Sequence, residues 1–302
     1  MRGASGAFVI DAYNCKANNI PNCAASLTLD KEVSSISVMS WNKKNSPTRP
    51  DNLPNSYTNV NLGGGSASTI ALGNAAAAFK FKSEACYPLD KLANKYKTNE
   101  SLVKKLAELE NLYASNKAKG ETEACESCIL QGIEESFGIS LTSEGLRSAM
   151  QKKTFDEFVY KVLFGDATCN DLNIIPKPYV GRFPNSSEEQ SRIKKIDLVG
   201  KAKEILAKDI PVLLNEICTV VLPDGSCLKE SYHTVVLTGF KEVCKDGEKK
   251  VCRNIVRVQN SWCGDWDKEF GDEAWVDAET LMNSVGSFPV HRGVLGWLET
   301  HN

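Results

Sequence analysis

The chain is short of histidine, with three, and of methionine, with four. It also lacks any apolar run approaching the ~20 residues a membrane-spanning helix needs. Neither sign of charge dominates: 36 Lys and Arg stand against 38 Asp and Glu, a net charge of −2. Such a balance leaves no basic footprint arguing for nucleic acid or an anionic membrane. No apolar h-region follows Met1-Arg-Gly-Ala-Ser-Gly6, so no signal peptide is expected there. The opening reads as a trimmed mature chain behind a few added residues. No internal repeat is present. What remains is an ordinary globular composition, 42% hydrophobic and 25% charged over 302 residues, enough for one large domain or two modest lobes.

Cysteine is the exception to these shortages. Eleven are present, several close together: Cys15/Cys23, Cys125/Cys128, Cys218/Cys227 and Cys244/Cys252. The last two pairs flank turn-like segments, Leu222-Pro-Asp-Gly-Ser226 and Lys245-Asp-Gly-Glu248, as disulfide-closed hairpins would. Cys125-Glu-Ser-Cys128 has zinc-ligand spacing, but no second pair of that kind accompanies it. A redox dithiol there lacks a strand-then-helix context. Disulfides in an oxidising compartment (secreted, periplasmic or lysosome-like) are the better expectation. An odd count leaves at least one cysteine free or paired between chains.

The pattern along the chain is α+β. Residues 1–62 read as loop-rich, broken by Pro21, Pro47, Pro50 and Pro54. Gly63-Gly-Gly65 leads into the small-residue run 66–79, expected to be a helix packed closely on all sides. Residues 88–164 read as helical, with Leu102, Leu106, Leu109 and Leu112–Tyr113 at helical spacing and Thr154-Phe-Asp-Glu157 as a capping box. A Pro- and Asn-rich loop, 170–186, is the expected boundary between a mainly helical lobe (1–170) and a mainly β lobe (171–302). Ser187-Glu-Glu-Gln190 caps a further helix running to about Lys208. Short β-type runs follow: 211–214, 232–240, 254–259 and 273–276.

The chemistry concentrates on two of those runs. His233 heads the apolar run Thr234-Val-Val-Leu-Thr-Gly-Phe240, and Asn260-Ser-Trp262 ends the run from Asn254, 27 positions later. A histidine starting one strand and an amide ending a later one can meet at one end of a sheet, where the amide orients the ring. Together with Trp266 and Glu273-Ala-Trp-Val276, and with Lys201–Leu214 before them, these residues resemble the second half of papain-like cysteine peptidases. The resemblance covers roughly residues 195–280.

The resemblance implies a two-lobed fold with a helical lobe, an antiparallel sheet or barrel lobe, and an active-site cleft between them. It implies a nucleophile at the start of the buried helix, and that place holds Ala67. His233 and Asn260 lie 166 and 193 positions further on, against about 130–150 in the family. The charged helical stretch near 95–165 reads as an insertion that absorbs the excess. A thiolate at 67 would pair with protonated His233, which would later protonate the leaving amine. Asn61 takes the place of the family's oxyanion-hole glutamine, one methylene shorter, beside the backbone N–H of residue 67. Trp262 would shield the His233–Asn260 bond from water.

Alanine supplies no nucleophile, so this chain is expected to bind peptide or protein substrate without cleaving it. Retention of His233, Asn260 and Trp262 favours an engineered Cys→Ala change over a natural pseudoenzyme that binds peptide. Transpeptidation or deamidation on the same scaffold stays open. No metal and no cofactor are implied, and a monomer is expected. Plainer roles suit the remaining candidates. Ser66 and Ser68 read as helix caps, Cys86 as structural, Cys263 as a disulfide partner, and His291 and His301 as surface residues. The Lys/Glu run of 100–124 reads as a solvated helical face.

Overall fold

The computed structural model describes residues 2–38, 80–96, 98–119, 125–166, 169, 171–173, 178–183, 195–218, 222–224, 227, 232–245, 251–259, 274–285 and 294–300. The fold is α+β, and its described residues divide into two compact units. One takes the N-terminal residues through Ser26 together with the chain from residue 174 onward. The other takes its described residues from Leu27 to Asn173.

The second unit is helical. Its helices are α3 (Leu89–Lys95), α4 (Asn99–Lys119), α5 (Glu126–Phe137), α6 (Ser143–Met150) and α7 (Phe155–Phe164). The leucine spacing in α4 buries Leu102, Leu106 and Leu109 with Tyr113 against Ile129, Ile133 and Phe137 of α5 and Phe158 of α7. Thr154 accepts the Glu157 N–H at 3.2 Å, and the Glu157 carboxylate accepts the Lys153 N–H at 3.1 Å. The first bond satisfies a donor that the start of α7 would otherwise leave unpaired, and the second ties the helix to the residue before its cap. Gly138 ends α5 at φ +62°, the left-handed conformation that glycine adopts most readily. Strands β1 (Lys80–Lys82) and β2 (Asp171–Asn173) pair antiparallel, and the Cys86–Cys169 disulfide joins the two ends of the unit beside them.

The first unit is built on an open six-stranded sheet, not a closed barrel. Its strands are β3 (Pro178–Phe183), β4 (Val212–Cys218), β5 (Tyr232–Lys245), β6 (Val251–Gln259), β7 (Trp275–Asp277) and β8 (Leu295–Thr300). They run antiparallel in the order β3-β8-β4-β5-β6-β7. Helices α8 (Lys195–Leu206) and α9 (Ala278–Asn283) cover one face, burying Ala202, Ile205 and Met282 against Leu214, Val235, Leu237 and Val256. The register pair Leu213 and Val236 is buried on the other face; α1 (Arg2–Ala17), followed by the one-turn α2 (Cys23–Ser26), contacts β4, β5 and β8.

Two elements depart from the sequence reading. The N-terminal stretch is not loop throughout: α1 is a 16-residue helix with Val9, Ile10 and Tyr13 buried. Its composition is poor for a helix, and contact with the sheet supplies what propensity does not. It also clusters with the C-terminal unit, a different division from 1–170 and 171–302. The Pro- and Asn-rich stretch 170–186 contains two strands, β2 and β3. Gly181 in β3 faces Trp297 of β8, whose ring occupies the space a Cβ would need.

Five disulfides join described residues: Cys15–Cys23, Cys86–Cys169, Cys125–Cys128, Cys218–Cys227 and Cys244–Cys252. They fit an oxidising compartment. Ten of the eleven cysteines are thereby used; Cys263, expected to be a disulfide partner, lies outside the described residues. No described helix is long and apolar enough to cross a membrane.

Candidate functional site

His233 sits second in β5, 8% exposed, directly opposite Ile217 of β4. Alternation along the strand puts it on the same face as Val235 and Leu237, the face that α8 and α9 cover. Its neighbourhood is irregular in a definite way. Between the register pairs Leu214–Val235 and Ile217–His233, Asn215 and Glu216 of β4 stand against Thr234 alone. Such a bulge bends its strand and re-aims the side chains beside it.

The bulge carries a buried polar pair that the sequence reading missed. Thr234 Oγ1 donates to Asn215 Oδ1 at 3.1 Å, and the Asn215 N–H donates to the Val294 carbonyl at 2.9 Å. Asn215 and Thr234 are 3% and 4% exposed. A buried amide is retained at low cost when its oxygen and backbone N–H both have partners. An asparagine inside Val-Leu-Leu-Asn-Glu-Ile-Cys was the available signal.

Strand β6 ends at Gln259, whose register partner Val236 lies three residues along β5 from His233. The next residue in the chain is Asn260. Asn260, Trp262, Ala67 and Asn61 all lie outside the described residues, as do Ser66, Ser68, His291, His301 and the caps at Ser187–Gln190. Of the predicted catalytic set, His233 alone is described.

Other ligand-type groups are accounted for differently. Among the described residues, one cluster brings metal-binding atoms together: Glu242, Cys244 and Cys252. Its two sulfurs are joined to each other, so they offer no thiolates to an ion. Cys125 caps α5, and its sulfur accepts the Cys128 N–H at 3.3 Å within the same bonded pair.

In the helical unit, the Glu84 carboxylate accepts the Ser35 N–H at 3.1 Å and the Leu89 N–H. Burial nevertheless pushes its pKa up from 4.5, outweighing those two bonds. It fastens the segment at Ser35 to the start of α3, a positioning role. A shallow groove between α4 and α5 is lined by Lys105, Glu135, Gln131 and Cys128. Lys105 there forms 2.7 Å and 3.2 Å ion pairs with Glu135 and Glu108, so its charge is already met.

No family model matches the chain, and no curated protein matches its sequence.

Proposed function

We propose that this chain carries the scaffold of a papain-like cysteine peptidase, silent because Ala67 stands where the nucleophile belongs. The observation supporting this reading most strongly is a buried histidine at the head of a central antiparallel strand. The strand beside it leads, at that same end, into Asn260-Ser-Trp262. In the native form a thiolate at position 67 attacks the scissile carbonyl of a peptide or protein substrate. His233 then protonates the departing amine, and Asn260 holds the imidazole by accepting one of its N–H groups. Asn61 and the backbone N–H of residue 67 bind the oxyanion. Trp262 keeps water from the His233–Asn260 bond. The five disulfides support a secreted or otherwise oxidising location.

Ala67 itself favours a second reading, a natural pseudopeptidase that holds peptides in its cleft. Both readings share the scaffold, and Ala67→Cys tests it. A restored enzyme hydrolyses peptide amides and is labelled at residue 67 by a thiol-directed epoxide. A folded Ala67→Cys protein inert in both assays removes the peptidase reading. The gene separates engineered from natural loss: a natural alanine codon supports the binding module, and a cysteine codon ends it.

A further inference from the structure

Beyond Phe240, strand β5 leaves β4 behind, since that pairing ends at Leu237. It continues with β6 as a two-stranded ribbon, paired to β7 at residues 255–257. A second bulge, between Leu237 and Gly239, changes which residues face outward. Phe240 stays against the helix-covered core, so Gly239, Lys241, Val243 and Lys245 take the opposite, open face.

The register gives that face an unusual order. Its cross-strand pairs are Lys241–Ile255, Val243–Arg253 and Lys245–Val251. Each pair joins one cation to one aliphatic side chain, and the two kinds alternate along this face as Lys241, Val243, Lys245 on β5 and Val251, Arg253, Ile255 on β6. Arg257 extends the pattern opposite Gly239, beside Trp275 of β7, whose ring lies 4.0 Å from the Lys241 ammonium. Lys241, Lys245, Arg253 and Arg257 are exposed, and Val243 and Val251 are 47% and 58% exposed. Among the described residues the acid on this face is Asp277, opposite Ile255, and its carboxylate accepts the Thr280 N–H at the start of α9. On the reverse face, Cys244–Cys252 joins the two strands at a register pair. A free two-stranded ribbon is marginal by itself, and the covalent cross-link holds this one in register.

We infer that the open face of the β5–β6 ribbon docks on an anionic lipid surface. Four exposed cations on long stems fit a layer of negatively charged headgroups. Two wet valines and a half-buried isoleucine between them fit the apolar boundary just beneath, where burial adds to the electrostatic attraction. A nucleic acid or a sulfated polysaccharide satisfies the cations and leaves Val243 and Val251 in water. The chain's net charge of −2 conceals this patch, because strand register alone assembles it.

The test is co-sedimentation of the full chain at physiological salt with vesicles of phosphatidylcholine, with or without phosphatidylserine. Binding is expected to the mixed vesicles and not to phosphatidylcholine alone. Lys245→Gln with Arg253→Gln lowers partitioning by about thirtyfold. Val243→Ser with Val251→Ser lowers it by about fivefold or more. Glu242→Gln, on the reverse face, leaves it unchanged or higher. All four test positions are exposed; where a pair shifts the melting temperature, Lys245→Gln and Val251→Ser alone carry the comparison. No binding to the mixed vesicles overturns the proposal. So does a valine pair that changes nothing, or tighter retention on a sulfated polysaccharide or duplex DNA than on the vesicles.

Discussion

The hydroxyl of Thr234 donates to the amide oxygen of Asn215 across the bulge in β4, one residue from His233. Thr234→Val removes the donor while keeping the shape, and leaves a buried amide oxygen short of a partner. A loss of about 1–3 kcal/mol is expected, read by denaturant unfolding. A change within error would mean that the pair does little to hold the bulge.

Restoring the nucleophile makes His233 measurable. In the Ala67→Cys background, His233→Ala should lower peptide-amide turnover by roughly a hundredfold or more, the usual scale for removing a general acid–base group. Equal turnover with and without the imidazole would place the chemistry elsewhere.

The disulfides should differ widely in worth. Cys86–Cys169 spans 83 positions, against 8, 3, 9 and 8 for the others. In the chain-entropy account, a loop of that length is worth roughly 4.5 kcal/mol, more than the short ones. Replacing both cysteines with serine should therefore lower the melting temperature most for this pair.

Gly181 leaves no room for a side chain: an added Cβ would sit 1.9 Å from Trp297 Cε2. Gly181→Ala should destabilise by about 1–3 kcal/mol through overpacking. Trp297→Leu should relieve much of that clash, so the double variant should lose less than the sum of the two. Strict additivity in a double-mutant cycle would contradict the contact.

Glu84 makes stability depend on pH in the direction opposite to most carboxylates. Its folded pKa is raised above the ordinary 4.5, so the native state binds more protons than the unfolded chain in the window above that value. Stability contributed at this site falls as pH rises through the window, then levels off. The stability of the parent relative to Glu84→Gln should decline across the same range in melting curves. A difference independent of pH would show that the carboxyl titrates alike in both states.

Short-range signals were legible in the sequence, and long-range ones were not. The Thr154–Glu157 box, the Leu102–Leu109 stripe, and the hairpins closed by Cys218–Cys227 and Cys244–Cys252 each lie within a dozen residues. Strands β4 to β7 followed from their apolar runs. By contrast, β3 exists because β8, more than a hundred residues later, pairs with it. The Leu237/Gly239 bulge defeats simple alternation, which would turn Lys241 and Lys245 toward the core. At the candidate site, a histidine heading an apolar run was visible, whereas the Asn215–Thr234 bond depends on a bulge that no local pattern announces.

The position of α1 has a consequence for how the chain is made. Residues 2–17 leave the ribosome well before the strands they contact, β4, β5 and β8. At about 5–20 residues per second, this opening segment waits on the order of tens of seconds without its docking surface. The helical unit can close during that interval; the sheet unit cannot be completed until β8 has emerged.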